Sequence, residues 1–215
     1  MACRSARFDS GCAGTLLNRP VQQRLKLPMP APSIPREEVV RRLLGCFQKH
    51  GYDGASLAEL SKATGLGKSS LYHYFPGGKQ DMALAVLDEI DRWMSAHALG
   101  RLKGPGAPRQ RLSRMVAALD GFYDSGRCAC VLGNLTVGDS RRLFQRRLRA
   151  AFAAWIDALR DLAVEAGHPP AQARLWAQDL VLGIEGALVL ARGLDDPAPF
   201  RHVLRRCMRT LVAHS

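Results

Sequence analysis

A short polar segment between positions 68 and 79 carries the side chains whose chemistry is most readily assigned. Its ammonium, hydroxyl, imidazole and phenol groups can hydrogen-bond to the base edges and phosphates of double-stranded DNA. Together with one serine upstream, the candidate DNA-binding residues are Ser56, Lys68, Ser69, Ser70, Tyr72, His73, Tyr74 and Lys79. An alternative stays open for Tyr74, whose ring could simply pack into a small core, as aromatic side chains often do.

Three short helices are predicted to hold these side chains. Apolar residues recur at three- and four-residue spacings after Arg36, which predicts a helix that ends at Gly51. Its apolar stripe comprises Val39, Val40, Leu43, Leu44 and Phe47.

The second helix is expected to begin at a capping box. Ser56 can accept a hydrogen bond from the amide of Glu59, whose carboxylate can reach back to the amide of Ser56. Gly65 would end this helix after about two turns. Its inward-facing residues are expected to be Leu57, Leu60 and Ala63.

The third helix follows a tight glycine turn. Leu71 and Phe75 lie four residues apart and form one apolar face, so the polar residues of the segment point outward. The Pro-Gly-Gly sequence at 76–78 stops the helix. The pattern predicts a helix-turn-helix whose last helix enters the major groove. The helix starts near Ser56 and Gln80 would offer amides to phosphates.

Residues 64–79 resemble the recognition segment of the TetR/AcrR family of bacterial repressors, through a Leu-Tyr pair at 71–72, the closing Phe75 and the following Lys79. The resemblance implies that Tyr74 and Lys79 contact phosphates. It also implies DNA contacts from Lys68, Ser69, Ser70, Tyr72 and His73. The chain departs from many members at Gly67 and Gly78, where they carry a polar residue.

The second half adds a weaker resemblance. Residues 82–99 predict a long helix, and residues 100–108 predict a Gly/Pro linker. The sequence Cys-Val-Leu-Gly-Asn-Leu at 130–135 resembles the Gly-Asn-Leu signature of the LmrA/YxaF-like branch of the family. Many relatives place an acidic residue shortly after that leucine, whereas this chain reads Thr-Val-Gly-Asp at 136–139.

The prediction is an all-α chain with an N-terminal three-helix helix-turn-helix domain and a larger helical domain for ligand binding and dimerisation. Residues 1–33 are expected to form a flexible basic arm, residues 34–80 the DNA-binding domain and residues 81–215 the effector-binding and dimerisation domain. Met29 is a hypothetical natural start, because ordered-looking sequence begins near Ser33.

A small apolar or aromatic effector is implied by the resemblance, and its binding would move the helix after Lys79 and lower operator affinity. A pocket for it should be mainly apolar with few polar groups. The candidate lining residues are Trp93, Met115, Phe122, Asn134, Phe144, Phe152 and Trp155. Most of them could equally be ordinary core residues, and Asn134 could cap a helix.

Homodimerisation is expected through two amphipathic helices near the C-terminus, at 175–190 and 203–211. Gly183 and Gly186 would permit close helix approach, although packing within one subunit would explain them equally well. Two recognition helices would address successive major grooves, so the predicted operator is a rough palindrome.

The composition narrows the function classes. Lys plus Arg number 31 against 19 Asp plus Glu, and the resulting charge of +12 favours polyanionic partners. No apolar stretch is long enough to cross a bilayer and no secretory signal is evident, which predicts a cytoplasmic protein without membrane contact. The six cysteines form no CxxC pair and are interpreted as reduced thiols, Cys128 and Cys130 included. No cofactor or metal is expected.

Two alternative functions match parts of the sequence. Gly67-Lys68-Ser69 matches the end of a phosphate-binding loop, but Lys62 stands where its first glycine belongs and a helix precedes it. No other catalytic arrangement is present, so the chain is not expected to be an enzyme. A non-specific basic DNA-binding protein would explain the charge but not the capped motif. The arginines between 141 and 149 are interpreted as a solvated helix face.

Overall fold

The computed structural model describes residues 34–211, and all their regular elements are helices, which confirms the all-α prediction. The predicted basic arm at 1–33 and the hypothetical start at Met29 lie outside the described residues. None of the helices in the described range is long and apolar enough to cross a membrane.

The first three helices are α1 (Arg36–Gly54), α2 (Leu57–Thr64) and α3 (Lys68–Tyr74). In α1 the predicted stripe is buried except for the half-buried Leu44, and Cys46 joins it. The helix breaks at Gly51, as predicted, because the backbone there has a φ of 65° that favours glycine. Residues 52–54 continue in helical geometry beyond this kink and extend the element to Gly54.

One inward-facing residue of α2 was predicted wrongly. Ala63 is exposed, and Thr64 is buried in its place. Spacings of three and then four residues place Leu57, Leu60 and Thr64 on one helix face, whereas a residue six positions after Leu57 falls on another side.

A long helical segment then leads into the rest of the chain. It comprises α4 (Lys79–Trp93), a π-helical stretch Met94–Leu99 and the short α5 (Gly100–Leu102). The predicted linker at 100–108 is therefore wrong at its first three residues, and also at Pro108, where the next helix begins. Leu102 is buried, and its carbonyl accepts a hydrogen bond of 2.9 Å from the guanidinium of the buried Arg111, which ties this helix end to the next helix.

The remaining helices are α6 (Pro108–Phe122), α7 (Val131–Asn134), α8 (Ser140–Glu165), α9 (Pro170–Leu194) and α10 (Ala198–Thr210). The last two begin earlier in the chain than predicted, after prolines that suit a first helical turn. The buried apolar residues of all these helices and of α1–α4 form one continuous core. Polar residues of α8 remain outside that core, so the arginines between 141 and 149 are largely exposed.

Candidate nucleic-acid interface and effector cavity

The turn between α2 and α3 is fixed by local hydrogen bonds. Gly65 has a φ of 73°, and its amide donates to the carbonyl of Ser61 at 2.9 Å. The buried Thr64 hydroxyl donates to the carbonyl of Leu60 at 2.8 Å and accepts from the amide of Leu66 at 3.3 Å. These bonds satisfy polar groups at the end of α2 and set the direction in which α3 leaves the turn.

Arg42 connects α1 to the same turn. Its guanidinium donates to the carbonyl of Thr64 at 2.8 Å and to the carboxylate of Glu38 at 2.8 Å. The Arg42 hydrogen bond lowers the pKa of Glu38, so this carboxylate stays ionised. A polar contact thus links α1 to the end of α2 in addition to the core that the helices share.

Only half of the predicted capping box is present. The Ser56 hydroxyl accepts from the amide of Glu59 at 3.2 Å, as expected. The reciprocal bond was predicted wrongly, because the Ser56 amide donates to the carbonyl of Gly54 at 3.0 Å. The Glu59 carboxylate instead lies 3.7 Å from the imidazole of His50 on α1.

One face of α3 is available to a partner. Leu71 and Phe75 are buried as predicted, and they anchor the helix to α1 and α2. The exposed side chains are those of Lys68, Ser69, Ser70, Tyr72 and His73. They combine a cation, hydroxyl groups, a phenol and an imidazole on one short helix, which is the chemistry that reads and grips DNA.

The flanking candidates lie at the edges of this exposed face. Tyr74 is half-buried, and its hydroxyl donates to the carbonyl of Ile34 at 2.7 Å, so it packs within the protein. The Lys79 ammonium lies 4.5 Å from the centre of the Tyr52 ring, a cation–π contact. Ser56 is exposed at the start of α2.

The structure explains why glycine occupies position 78, which the sequence did not reveal. Its φ of 68° favours glycine, and an added Cβ would lie 3.3 Å from the Tyr72 ring. The amide of Gly77 donates to the carboxylate of Asp81 at 2.6 Å, which fixes the turn before α4. The turn therefore supports the exposed Tyr72 ring from one side.

A separate cavity of about 870 Å³ lies between α8, α9 and the segment 129–137. Two of the seven predicted pocket residues, Asn134 and Phe152, line it. The side chains of Met115, Phe144 and Trp155 are buried in the core, and none of the three lines this cavity. Trp93 and Phe122 stack on one another with ring centres 4.1 Å apart, also away from the cavity.

Asn134 joins the cavity to the helix-turn-helix. Its amide group donates to the main-chain carbonyls of Phe47 and Gln48, at 3.4 and 3.2 Å. Its carbonyl oxygen accepts from Arg192 on α9 at 3.3 Å. One side chain therefore contacts both the cavity wall and the end of α1, just before the break at Gly51.

Comparison with known proteins places this geometry in a family. Residues 43–86 match the family described as bacterial regulatory proteins, tetR family, and residues 108–206 match the C-terminal domain of LmrA/YxaF-like transcriptional regulators. The chain belongs to the TetR family. It is a DNA-binding transcriptional regulator of that family, and its C-terminal half is of the LmrA/YxaF-like type.

Individual relatives match most of this TetR-family chain. The regulator LmrA from Bacillus subtilis is 23% identical over 175 residues, which cover 78% of this chain and 92% of LmrA. A TetR regulator structure from Legionella pneumophila is 20% identical with a TM-score of 0.72, covering 85% of this chain and 99% of the other. A cysteine-substituted CifR bound to 26-bp operator DNA has 19% identity and a TM-score of 0.64, with coverage of 84% and 98%.

The prediction from sequence missed Glu185, which lines the cavity of this TetR-family protein. A signal for it existed, because Glu185 is the one charged residue between Leu180 and Ala191 in an otherwise apolar stretch of sequence. Long apolar helices rarely place an acid within them unless it has a partner or a function. Gln178 and Arg192 were missed as well, and no pattern in the sequence marks them.

Proposed function

We propose that this TetR-family regulator is a repressor that binds a palindromic operator as a homodimer and is released by a small apolar ligand. Residues 34–80 would act as the DNA-binding domain, and residues 81–215 would bind the ligand and form the dimer. Such a protein would work in the cytoplasm, where its operator is accessible.

The observation that carries this proposal is the exposed polar face of α3. Lys68 can donate to guanine, Ser69 and Ser70 can bond to bases or phosphates, and Tyr72 and His73 can contact sugars or phosphates. Lys79 and Ser56 would add phosphate contacts at the edges, whereas the Tyr74 hydroxyl is already bonded to the carbonyl of Ile34. The CifR complex with double-stranded operator DNA supports this role for the shared fold.

Release requires that the ligand changes the position of α3, and two contacts offer a route. Asn134 connects the cavity wall to the end of α1. Arg147 on α8 donates to Asp91 on α4 at 2.7 Å and also pairs with Asp88. A ligand that moves α8 or residues 129–137 would thus displace α1 and α4, to which the recognition helix is packed.

The test is selection of bound fragments from random and genomic DNA, with wild-type protein beside Lys68→Ala and Tyr72→Ala. Lys103→Ala is the matched control, because it removes the same charge from an exposed residue far along the chain. We expect wild type and the control to enrich one palindrome at about 10³-fold over random DNA. Both α3 variants should lose about tenfold or more of this preference.

Failure to enrich any sequence with folded wild-type protein would favour the alternative of a non-specific basic DNA-binding protein. Equal loss of affinity for all sequences in the α3 variants would have the same meaning, because phosphate contacts carry no sequence information. Genes next to an enriched operator would then be compared for expression with and without the protein, which separates repression from activation.

A further inference from the structure

The effector cavity holds one acid in an apolar surrounding. Glu185 projects from α9 among apolar lining residues that include Phe152, Ile156 and Val181. The other acid of the lining, Asp179, is exposed to solvent. Glu185 is therefore the group whose charge would be felt most strongly by a bound molecule.

The Glu185 carboxylate is poorly compensated. Its Oε1 atom is shielded from water and has no hydrogen-bond partner, and Glu185 forms no ion pair with any described residue. Burial raises the pKa of Glu185, while a hydrogen bond with the Cys130 thiol lowers it. An acid kept in such a place costs stability unless a partner arrives.

The neighbouring groups supply no positive charge. Cys130 and Tyr123 are buried beside Glu185, and burial raises the pKa of both, so they remain neutral. Arg192 lies at the exposed rim, where it donates to Asn134. Two acids and one arginine line the cavity, which favours a positively charged occupant.

The absence of a side chain at position 133 provides space for the Glu185 carboxylate. A Cβ added at Gly133 would lie 2.7 Å from Oε2 of Glu185, closer than real side chains approach. The glycine of the Gly-Asn-Leu signature therefore makes room for the acid of α9. The acid and the glycine together form a built feature of the cavity wall.

We propose that the cavity binds an apolar molecule carrying one protonated amine, with the ammonium group paired to Glu185 and the apolar body against Phe152 and Ile156. This inference rests on the proposed function and narrows the chemical class of its effector. An ammonium group supplies both the charge and the hydrogen-bond donors that the carboxylate lacks. The cavity volume of about 870 Å³ suits a drug-sized molecule.

The experiment compares three fluorescent probes with the same dansyl group and chain. Each probe carries five methylene groups on the sulfonamide nitrogen: dansylcadaverine ends in an ammonium group, N-hexyl dansylamide ends in a methyl group, and dansyl-aminohexanoate ends in a carboxylate. Titration of the full-length protein, followed by fluorescence, gives the Kd of each probe. We expect dansylcadaverine to bind about tenfold more tightly than N-hexyl dansylamide, as a charge-assisted hydrogen bond would require.

Variants assign the preference to one acid. Glu185→Gln keeps the shape of the side chain and should abolish the preference for dansylcadaverine, because it weakens the binding of that probe alone. Gly133→Ala should also weaken dansylcadaverine binding, since its methyl group displaces the Glu185 carboxylate. Glu37→Gln is the control, because it removes an exposed acid that does not line the cavity, and its preference should stay within about twofold of wild type. Thermal melts confirm that each variant is folded.

The proposal is overturned if dansylcadaverine has no advantage, if its advantage survives Glu185→Gln, or if Glu37→Gln removes it. It is also overturned if the anionic probe binds best, or if no probe binds at about 1 mM. Binding is measured without DNA. A Glu185-dependent amine preference with unchanged operator affinity would therefore support this inference while contradicting ligand release.

Discussion

At the scale of single residues, the buried Thr64 and the half-buried Glu185 have opposite effects on the fold. Thr64 satisfies polar groups at the turn before α3, whereas Glu185 brings an unsatisfied oxygen into the cavity. The first stabilises the helix-turn-helix and the second costs stability. Each effect can be measured by a nearly isosteric substitution.

Thr64→Val should lower the free energy of unfolding by about 1–3 kcal/mol, because the amide of Leu66 loses its acceptor in a buried turn. Urea unfolding measures the change. Lys62→Ala, at an exposed position on the same helix, is the control and should stay within about 0.5 kcal/mol of wild type. Equal stability of the threonine variant and wild type would contradict the role assigned to this hydroxyl.

Glu185→Gln should stabilise the unliganded protein in a pH-dependent way. The folded protein holds the Glu185 proton more tightly than the unfolded chain, so wild-type stability falls as pH rises from about 4.5 through the raised pKa. The gain in Tm should be absent at low pH and reach about 2–4 °C above neutral pH. Thermal melts across this range provide the measurement.

Glu165→Gln is the control of opposite sign. The Arg111 hydrogen bond lowers the pKa of Glu165, so its contribution is present at neutral pH and is lost as pH falls. Its substitution should therefore lower Tm near neutral pH. If the Tm changes of Glu185→Gln and Glu165→Gln had the same dependence on pH, the raised pKa assigned to Glu185 would be ruled out.

At the scale of helices, the contact between α7 and α1 joins the cavity wall to the helix-turn-helix. Asn134 is the last residue of the short helix α7, whose buried residues Val131 and Leu132 fix it, and its amide group contacts two carbonyls of α1. The segment 129–137 therefore holds the end of α1 in place while forming one wall of the cavity.

Asn134→Ala should raise amide hydrogen exchange at residues 47–54 about fivefold, because two hydrogen bonds that hold the end of α1 are removed. Mass spectrometry of exchanged peptides reports the effect. Thr136→Ala removes a local bond from an exposed hydroxyl to the carbonyl of Gly133 and should leave these residues unchanged. Unaltered exchange in the asparagine variant would show that α1 does not depend on this contact.

Prediction from sequence succeeded where a local pattern determines the structure. The spacing of Leu71 and Phe75 and the serine cap of α2 depend on neighbours within one or two turns. It failed where distant residues meet. The cavity is formed by segments around positions 130, 155 and 185, so its lining could not be separated from the core, and Trp93 packs against Phe122 instead of lining the cavity.

At the scale of the whole molecule, α9 presents apolar side chains to solvent. Leu175, Leu190 and Leu194 are each more than half exposed and do not line the cavity, whereas the equally exposed Leu182 and Val189 do line it. An apolar patch of this kind on one helix is typical of an interaction surface. Together with the proposed homodimer, it points to α9 as the helix that a second copy would cover.

Leu190→Glu should convert the dimer to a monomer, because a carboxylate would be buried at the subunit contact without a partner. Leu190 does not line the cavity, so its substitution does not directly change the ligand-binding surface. Light scattering after size-exclusion chromatography measures the mass. Leu143→Glu, at an exposed leucine on α8, is the control and should remain dimeric. A dimeric Leu190 variant would exclude this part of α9 from the interface.

The close approach of Gly133 to the Glu185 carboxylate has a consequence for engineering. A side chain at 133 would force the Glu185 carboxylate, the far end of a flexible side chain, out of its present position, so the two positions are best diversified together. A library that varies both codons together, pairing small neutral residues at 185 with alanine or serine at 133, would sample cavities that single-site libraries miss. The pair is thus the natural starting point for converting this regulator into a biosensor for uncharged compounds.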